Sequence, residues 1–268
     1  MKMQTNVATR KRAVIPQDSV RIRKITTGVR GLDDILGGGI PEFSCNVIAG
    51  VPGCGKTTLA HQIVFANATV KNPAIYFTVL GEPALKMLRY QQQYSFFDAS
   101  KLGKAIRFIN VGDVVLKKDL NQVLEEITKH VTAINPSIVV VDSFRSVARK
   151  GSSRPDEMES FIQLLTHFLT SCEATSFLVG EYNQAEMQDN TVFTIADGIF
   201  WLSQVPERNS VVRKLEVMKL RGQESVPGLH TVRIRKDGLQ AFSRTLGLAA
   251  PKRGNRNRSS GFLRAFPS

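Results

Sequence analysis

One segment of this chain constrains its fold more than any other, and it reads Gly50-Val51-Pro52-Gly53-Cys54-Gly55-Lys56-Thr57. It has the form G-x-x-x-x-G-K-T of a Walker A loop. The apolar, strand-like run 45–49 precedes it, and apolar residues at helical spacing follow it from Leu59 onwards. A loop between a strand and a helix presents backbone N–H groups and a helix N-terminus to an anion. The sequence therefore predicts nucleotide binding within an α/β fold.

The residue types of this loop have separate roles in holding a nucleoside triphosphate. Glycines let the backbone turn tightly and approach the phosphates closely. We expect Lys56 to neutralise the β- and γ-phosphates, as a binding and a catalytic residue, and Thr57 to hold Mg²⁺ through its hydroxyl. We interpret Cys54 as a small residue in a variable position rather than as a site of oxidation. The predicted nucleotide-binding residues of this segment are Gly50, Gly53, Cys54, Gly55, Lys56, Thr57 and Thr58.

A second nucleotide-binding element is predicted at residues 137–143, where four consecutive apolar residues lead to Asp142. This is the form of a Walker B strand. We expect the carboxylate of Asp142 at the carboxyl edge of the sheet, where it would face the loop and accept a hydrogen bond from a Mg²⁺-bound water. Thr57 and Asp142 are thus the predicted metal-site residues, and ATP and Mg²⁺ are the predicted cofactors.

Length and composition predict one large folded domain. The chain has 268 residues, 42% of them hydrophobic, and one Walker A loop. No apolar run approaches the roughly 20 residues that cross a bilayer, and the first residues contain no apolar segment typical of a signal peptide. We therefore expect no membrane insertion and a cytoplasmic location. The three cysteines show neither a CxxC pair nor zinc-ligand spacing.

The net charge of +13 is concentrated at the two ends of the chain. Residues 1–24 carry a net +6 and residues 249–268 a net +5, which leaves +2 for the rest. We therefore divide the chain into a basic N-terminal arm (1–24), an ATPase domain (25–248) and a basic tail (249–268) that is expected to be disordered. Basic arms can bind nucleic acid, but solubilising tails are at least as common, so a nucleic-acid partner is not favoured.

Strand-like and helical patterns alternate through the middle of the chain. The predicted strands are residues 45–49, 74–80, 106–111, 137–141, 175–180 and 198–202, and the predicted helices include 119–131 and 158–169. Near-continuous apolar strands separated by helices indicate a parallel sheet that is covered on both faces. Beyond residue 198, strand follows strand, at 211–220 and 229–234, with turn signals at 227–228 and 237–238. The sheet should therefore end in antiparallel hairpins.

Two further stretches carry a resemblance to a known family. Residues 27–41 read T-G-V-R-G-L-D-D-I-L-G-G-G-I-P, and residues 219–222 read K-L-R-G. Together with the Walker A loop they resemble the KaiC-type ATPase domain of the RecA superfamily, over roughly residues 25–245. The resemblance implies a RecA-like P-loop NTPase fold, which is a mostly parallel twisted sheet flanked by helices with C-terminal antiparallel hairpins.

The same resemblance implies how the protein assembles. KaiC-type domains form homo-oligomeric rings, usually hexamers, with ATP between neighbouring subunits. The lysine and arginine of the family's K-x-R-G motif reach the γ-phosphate of the neighbour's nucleotide, and here they would be Lys219 and Arg221. An arginine supplied across an interface stabilises charge in the phosphoryl-transfer transition state. Both are therefore candidate catalytic residues that act in trans.

Two departures from the family pattern bear on activity. KaiC-type domains carry adjacent glutamates after the strand that follows the P-loop helix, and Leu80 and Gly81 stand at those positions here. Glu82, one position later, is the candidate catalytic residue that would orient the attacking water. An ATPase is expected, and the displaced glutamate leaves slow or absent hydrolysis open. KaiC also phosphorylates its own adjacent Ser-Thr pair, but the matching positions here are Phe193 and Thr194. Autokinase activity is therefore not expected.

Three functions stay open on the sequence alone. The first is a ring ATPase with Mg²⁺-dependent hydrolysis and a regulatory or signalling role. The second is a RecA- or RadA-type DNA-binding recombination or repair ATPase. A helix-turn-helix or a basic, aromatic-studded loop in the body would favour it, and the sequence shows neither. The third is a scaffold that binds ATP for assembly without turnover. The sequence does not define the protein partners.

Overall fold

The computed structural model describes residues 22–79, 84–151, 155–188, 190–207 and 210–244. Apart from residues 22–24, the predicted N-terminal arm lies outside these ranges, and so does the predicted tail. Glu82, together with Leu80 and Gly81 before it, also lies outside the described residues. The roles expected of these segments therefore stay predictions.

The described part of the chain contains eleven strands and eight α-helices. The strands are β1 (Lys24–Ile25), β2 (Ile40–Pro41), β3 (Cys45–Gly50), β4 (Ala74–Thr78), β5 (Ile106–Asn110), β6 (Ile138–Asp142), β7 (Thr175–Glu181), β8 (Gly198–Glu207), β9 (Ser210–Leu220), β10 (His230–Arg235) and β11 (Gly238–Phe242). The helices are α1 (Leu32–Ile35), α2 (Lys56–Asn67), α3 (Ala84–Gln91), α4 (Gly112–Leu116), α5 (Leu120–Ile134), α6 (Phe144–Gly151), α7 (Pro155–Ser171) and α8 (Thr191–Ile195). Within the described ranges, no helix has the length and apolar character that crossing a membrane requires.

Nine of these strands form one sheet in the order β11-β10-β9-β8-β3-β7-β6-β4-β5. Neighbouring strands run parallel from β8 to β5 and antiparallel from β8 to β11. This order confirms the predicted mostly parallel sheet with C-terminal antiparallel hairpins. The antiparallel part is longer than predicted, because β8 continues to Glu207 and pairs with β9 as far as Ser210.

Helices cover the two faces of the sheet, and each face has its own apolar cluster. On one face α1 and α2 contribute buried side chains such as Leu32, Leu59 and Ile63. On the other face α5 and α7 contribute Val123 and Leu165. Strand side chains alternate between the two clusters, so a central strand is apolar on both sides. All six residues of β3, which leads into the Walker A loop, are buried.

The side chain of His61, on α2, is completely enclosed in the core. Its ring centroid lies 4.5 Å from that of Tyr76 and 5.8 Å from that of Phe108. Burial lowers the pKa of His61 to about 3, against a smaller opposing effect of the Gln91 side chain. The imidazole is therefore neutral in the folded protein at neutral pH.

We expect His61 to make the stability of the fold depend on pH. In the unfolded chain the imidazole takes up a proton below about pH 6.5, whereas in the folded protein it does so only near pH 3. Between pH 6.5 and pH 3 the unfolded state binds more protons than the folded state, so acid favours unfolding. The stability contributed by His61 is therefore fully present above pH 6.5 and is lost as the pH falls towards 3. Between pH 8 and pH 5 the free energy of unfolding should drop by about 2 kcal/mol on this account.

Urea unfolding of the wild type and of His61→Leu gives the free energy of unfolding at each pH in this range. The contribution of His61 is the difference between the two proteins in the slope of this free energy against pH. His167→Leu, at an exposed position of α7, is the matched control and should keep the slope of the wild type. If His61→Leu loses stability with acid as steeply as the wild type does, the prediction is wrong.

Candidate nucleotide-binding site

The phosphate loop joins the carboxyl end of β3 to the first turn of α2. β3 ends at Gly50 and α2 begins at Lys56, which is the predicted order of strand, loop and helix. Gly50 and Gly55 have φ values of 142° and 106°, a region that L side chains rarely adopt. A Cβ on Gly50 would stand 1.8 Å from the carbonyl oxygen of Leu202 on β8. The turn beside β8 therefore requires glycine.

The ammonium group of Lys56 is nearly enclosed in the loop. Lys56 is 7% exposed, and its Nζ donates to the carbonyl oxygen of Val51 at 2.7 Å and lies 3.8 Å from Cys54 Sγ. Among the described residues no carboxylate forms a salt bridge with it, and Asp142 acts on it only from beyond contact distance. A buried cation without a contacting counter-charge is costly. Burial raises the pKa of the Cys54 thiol, so Cys54 stays neutral beside the lysine. A bound phosphate would supply the missing negative charge, so the loop fits a nucleotide.

The two residues predicted to hold the cation meet in the structure. Thr57 Oγ1 donates a hydrogen bond to Asp142 Oδ2 at 2.8 Å. Hydroxyl and carboxylate oxygens suit Mg²⁺, which keeps several waters and binds the phosphates of its substrate. Within the described ranges, no cluster of three or more His, Cys, Asp or Glu could hold a metal by itself. The donor set therefore fits Mg²⁺ that arrives with a nucleotide.

Asp142 ends β6 and is held by a second donor that the sequence analysis missed. The hydroxyl of Tyr76 on β4 donates to Asp142 Oδ2 at 2.7 Å. Burial raises the pKa of the Asp142 carboxyl group, and the hydrogen bonds from Tyr76 and Thr57 and the charge of Lys56 oppose this effect. The only sequence signal for Tyr76 was a polar hydroxyl inside an apolar strand.

A cavity of about 680 Å³ opens beside the phosphate loop, within the size range of small-molecule sites. Arg213 of β9 approaches the loop there, and its Nε donates to the carbonyl oxygen of Gly53 at 3.3 Å. Of the residues outside the loop and Asp142, Ser143 ends the predicted element at 137–143, and Glu181 is an acid that directly follows the predicted strand at 175–180. These further wall residues are Tyr94, Ser143, Ser146, Gly180, Glu181, Arg213 and Ile234.

Lys219 and Arg221 lie at the opposite edge of the sheet from the phosphate loop. Gly198, the first residue of β8, pairs both with the end of β9 and with Asn46 of β3. The loop follows Gly50, four residues further along β3, a distance of about 13 Å at 3.3 Å per residue. Within one chain, the structure therefore does not bring these two candidate catalytic residues to the loop.

Both of these cations make contacts at their own edge of the sheet. Arg221 Nη1 lies 3.1 Å from Asp197 Oδ1, and the arginine side chain is 60% exposed. Lys219 Nζ donates to the carbonyl oxygen of Thr194 at 2.9 Å. Burial lowers the pKa of Lys219, and the neighbouring charge of Arg221 adds to this effect. Because an exposed ion pair contributes little to stability, Arg221 could contact another molecule at small cost.

The fold and the site together define a class of protein. A mostly parallel sheet carries a glycine-rich loop after β3, and the buried Lys56 begins the next helix. Asp142, at the end of β6, accepts a hydrogen bond from Thr57 of the loop. These are the parts of a P-loop nucleoside triphosphatase domain. Within this class the chain belongs to the KaiC family of ATPases, whose family model matches residues 25–245.

Curated relatives include both long and short members. The chain is 25% identical over 231 residues to the circadian clock oscillator protein KaiC of Picosynechococcus sp., a match that covers 82% of this chain and 45% of the relative. It is 26% identical over 238 residues to a UPF0273 protein of Pyrococcus horikoshii, covering 82% of this chain and 94% of the relative. The chain therefore spans about half the length of the clock proteins it matches and nearly all of the UPF0273 protein.

A solved structure shows the same fold. The KaiC-like protein of Pyrococcus horikoshii OT3 superposes with a TM-score of 0.71 at 22% sequence identity. The superposition covers 83% of this chain and 100% of that chain. It confirms the KaiC-like fold that the sequence resemblance implied.

Proposed function

We propose that this protein binds ATP with Mg²⁺ and hydrolyses it slowly at the subunit interfaces of a cytoplasmic homo-oligomeric ring. The observation that carries the proposal is the arrangement of Lys56, Thr57 and Asp142. A nearly buried ammonium group, without a salt-bridge partner among the described residues, stands beside a hydroxyl–carboxylate pair. A triphosphate would neutralise the first, and its Mg²⁺ would be held by the second.

The position of Lys219 and Arg221 supports the assembled form. Since both residues lie at the sheet edge opposite the loop, they could complete a nucleotide site only in a neighbouring subunit. A contact between the Arg221 edge of one subunit and the phosphate-loop edge of the next is head-to-tail. Such contacts close into rings when the rotation between neighbouring subunits permits. The proposed ring size is six, which the sequence resemblance implies.

The proposed biological role is regulatory or signalling, with the state of the ring set by its nucleotide. Some relatives are named circadian clock oscillator proteins, but this chain spans about half their length, so a timekeeping role does not follow. The alternative of a DNA-binding recombination ATPase depends on the basic arms, most of which lie outside the described residues.

ATP turnover and oligomer size, measured on the same purified sample, test the proposal. Phosphate release is followed with and without Mg²⁺, and the mass is determined by light scattering without nucleotide and with Mg-ATP. We expect Mg²⁺-dependent release above the background of Lys56→Ala and a larger species with Mg-ATP. A monomer with full turnover would contradict the shared site.

A second candidate function, an ATP-binding scaffold without turnover, is favoured by one observation. Leu80 and Gly81 occupy the positions of the family's paired glutamates, so the residue that would activate water is displaced to Glu82. Assembly with Mg-ATP but without phosphate release would support the scaffold.

If the protein turns over ATP, Glu82→Gln should reduce the rate on the order of 100-fold and leave ATP affinity nearly unchanged. The amide keeps the size of the side chain but cannot accept a proton from water. Phosphate release and nucleotide titration measure the two effects separately. Glu125→Gln, at an exposed position of α5, is the matched control and should change neither quantity. A mutant rate equal to that of the wild type would remove Glu82 from the mechanism.

A further inference from the structure

Tyr76 connects an aromatic group in the core to the carboxylate of Asp142. It is completely buried on β4, and its ring centroid lies 4.5 Å from that of His61 on α2 and 5.2 Å from that of Phe108 on β5. The ring is therefore packed between a helix and the neighbouring strand. Its hydroxyl donates to Asp142 Oδ2 at 2.7 Å.

The strand register explains how Tyr76 reaches the site. Tyr76 pairs with Val140 of β6, whereas Asp142 pairs with Thr78. The tyrosine side chain thus reaches a residue that lies two positions, or about 7 Å, closer to the carboxyl edge of the sheet. A phenylalanine at this position would fill the same space and present no donor. The hydroxyl is the feature that the packing alone does not require.

The two donors to Asp142 differ in their relation to the nucleotide. Thr57 lies in the cavity wall and is itself expected to bind Mg²⁺. Tyr76 is absent from that wall and reaches Asp142 from the core side. Among the described residues, no further donor reaches the Asp142 carboxylate. Tyr76 is thus the donor to Asp142 that is not itself expected to bind the cation.

We propose that Tyr76 is a positioning residue that fixes the Asp142 carboxylate for the water shell of Mg²⁺. With Oδ2 engaged by Tyr76, the second carboxylate oxygen stays available to that shell. The inference rests on the proposed Mg-ATP site and names a residue that tunes its metal affinity. Tyr76 does not line the cavity, and the site group that its hydroxyl contacts is Asp142, so we expect its effect on Mg²⁺ to pass through Asp142. Replacement of a residue that orients a metal-site group through a hydrogen bond typically changes metal affinity by about 10- to 100-fold.

The Mg²⁺ dependence of ATP binding tests this inference without measuring turnover. ATP affinity is determined by calorimetry in EDTA and over a series of Mg²⁺ concentrations. Tyr76→Phe should match the wild type in EDTA and require about tenfold more Mg²⁺ for the half-maximal gain in affinity. Tyr182→Phe is the matched control, because the Tyr182 hydroxyl is also buried but has no hydrogen-bond partner among the described residues. It should leave the Mg²⁺ requirement unchanged.

The variant Asp142→Asn separates positioning from a general effect on the fold. In that background Tyr76→Phe should not alter the Mg²⁺ requirement further, because the carboxylate that it orients is absent. The inference is overturned if Tyr76→Phe keeps the wild-type Mg²⁺ requirement. It is also overturned if the variant weakens binding equally in EDTA and Mg²⁺, or shifts the requirement equally in both backgrounds. If the wild type itself gains no affinity from Mg²⁺, the proposed Mg-ATP site is wrong and the inference falls with it.

Discussion

Lys56→Ala should abolish ATP binding, with a loss of affinity of at least about 100-fold, and leave the fold intact. Hydrogen bonds to charged groups are worth about 1.5–3 kcal/mol each, and Lys56 is expected to contact two phosphates. Its removal leaves their charge uncompensated in a partly enclosed loop. Without nucleotide the variant should stay folded, because Lys56 forms no salt bridge among the described residues and its ammonium group is costly to bury. Calorimetric titration with ATP and urea unfolding without it measure the two effects.

Lys101→Ala is the matched control for this experiment. Lys101 Nζ also donates to a backbone carbonyl oxygen, that of Phe65 near the far end of α2, at 2.7 Å. It lies outside the wall of the cavity, so its removal should leave ATP affinity unchanged. If Lys56→Ala bound ATP as tightly as the wild type, the assignment of the phosphate loop would have to be abandoned.

Arg221→Ala should reduce hydrolysis by about 10³-fold, the lower end of the effect of an arginine supplied in trans. The stability of the isolated subunit should change little, because the ion pair with Asp197 is exposed. The decisive measurement mixes the inactive Arg221→Ala and Lys56→Ala proteins. In a ring with shared sites, some interfaces would pair the intact loop of the first protein with the intact arginine of the second. Partial ATP turnover should therefore return on mixing.

A doubly substituted chain, Lys56→Ala with Arg221→Ala, provides the control for this mixing experiment. Mixed with either single variant it leaves every interface without an intact loop or without an intact arginine, so no activity should return. Co-purification of an untagged single variant with an affinity-tagged one establishes that mixed oligomers form. If they form, the wild type is active and the two single variants still show no rescue at any ratio, the trans role of Arg221 is wrong.

Local motifs predicted the central residues of the candidate site, whereas contacts between distant segments were missed. Lys56 and Thr57 lie in one short segment whose spacing encodes its geometry, and Asp142 ends an apolar strand, so each carries its own signal. Tyr76 reaches Asp142 only because β4 lies beside β6, and Arg213 reaches the loop only because β9 folds back along β8. The sequence patterns indicated the strands but not which strands are neighbours.

Periodicity predicted the long elements of the fold and missed the short ones. Helix α5 was predicted at 119–131 and runs over Leu120–Ile134, with Asp119 as its N-cap. Helices α1, α4 and α8 have four or five residues each, which is too few to show a helical period in the sequence. Their positions depend on packing against the sheet, and the local pattern of apolar residues does not encode that packing.

The place of β3 in the sheet also determines when the phosphate loop can form as the chain is synthesised. Its two neighbours are β7 and β8, which begin at Thr175 and Gly198, whereas the next strand in the sequence, β4, pairs with β5 and β6. Leu202, beside whose backbone Gly50 turns, is synthesised only after three-quarters of the chain. Closing so long a loop is slow and entropically unfavourable. We therefore expect the phosphate loop to become ordered, and the proposed binding of ATP to stabilise the domain, only after this point in synthesis.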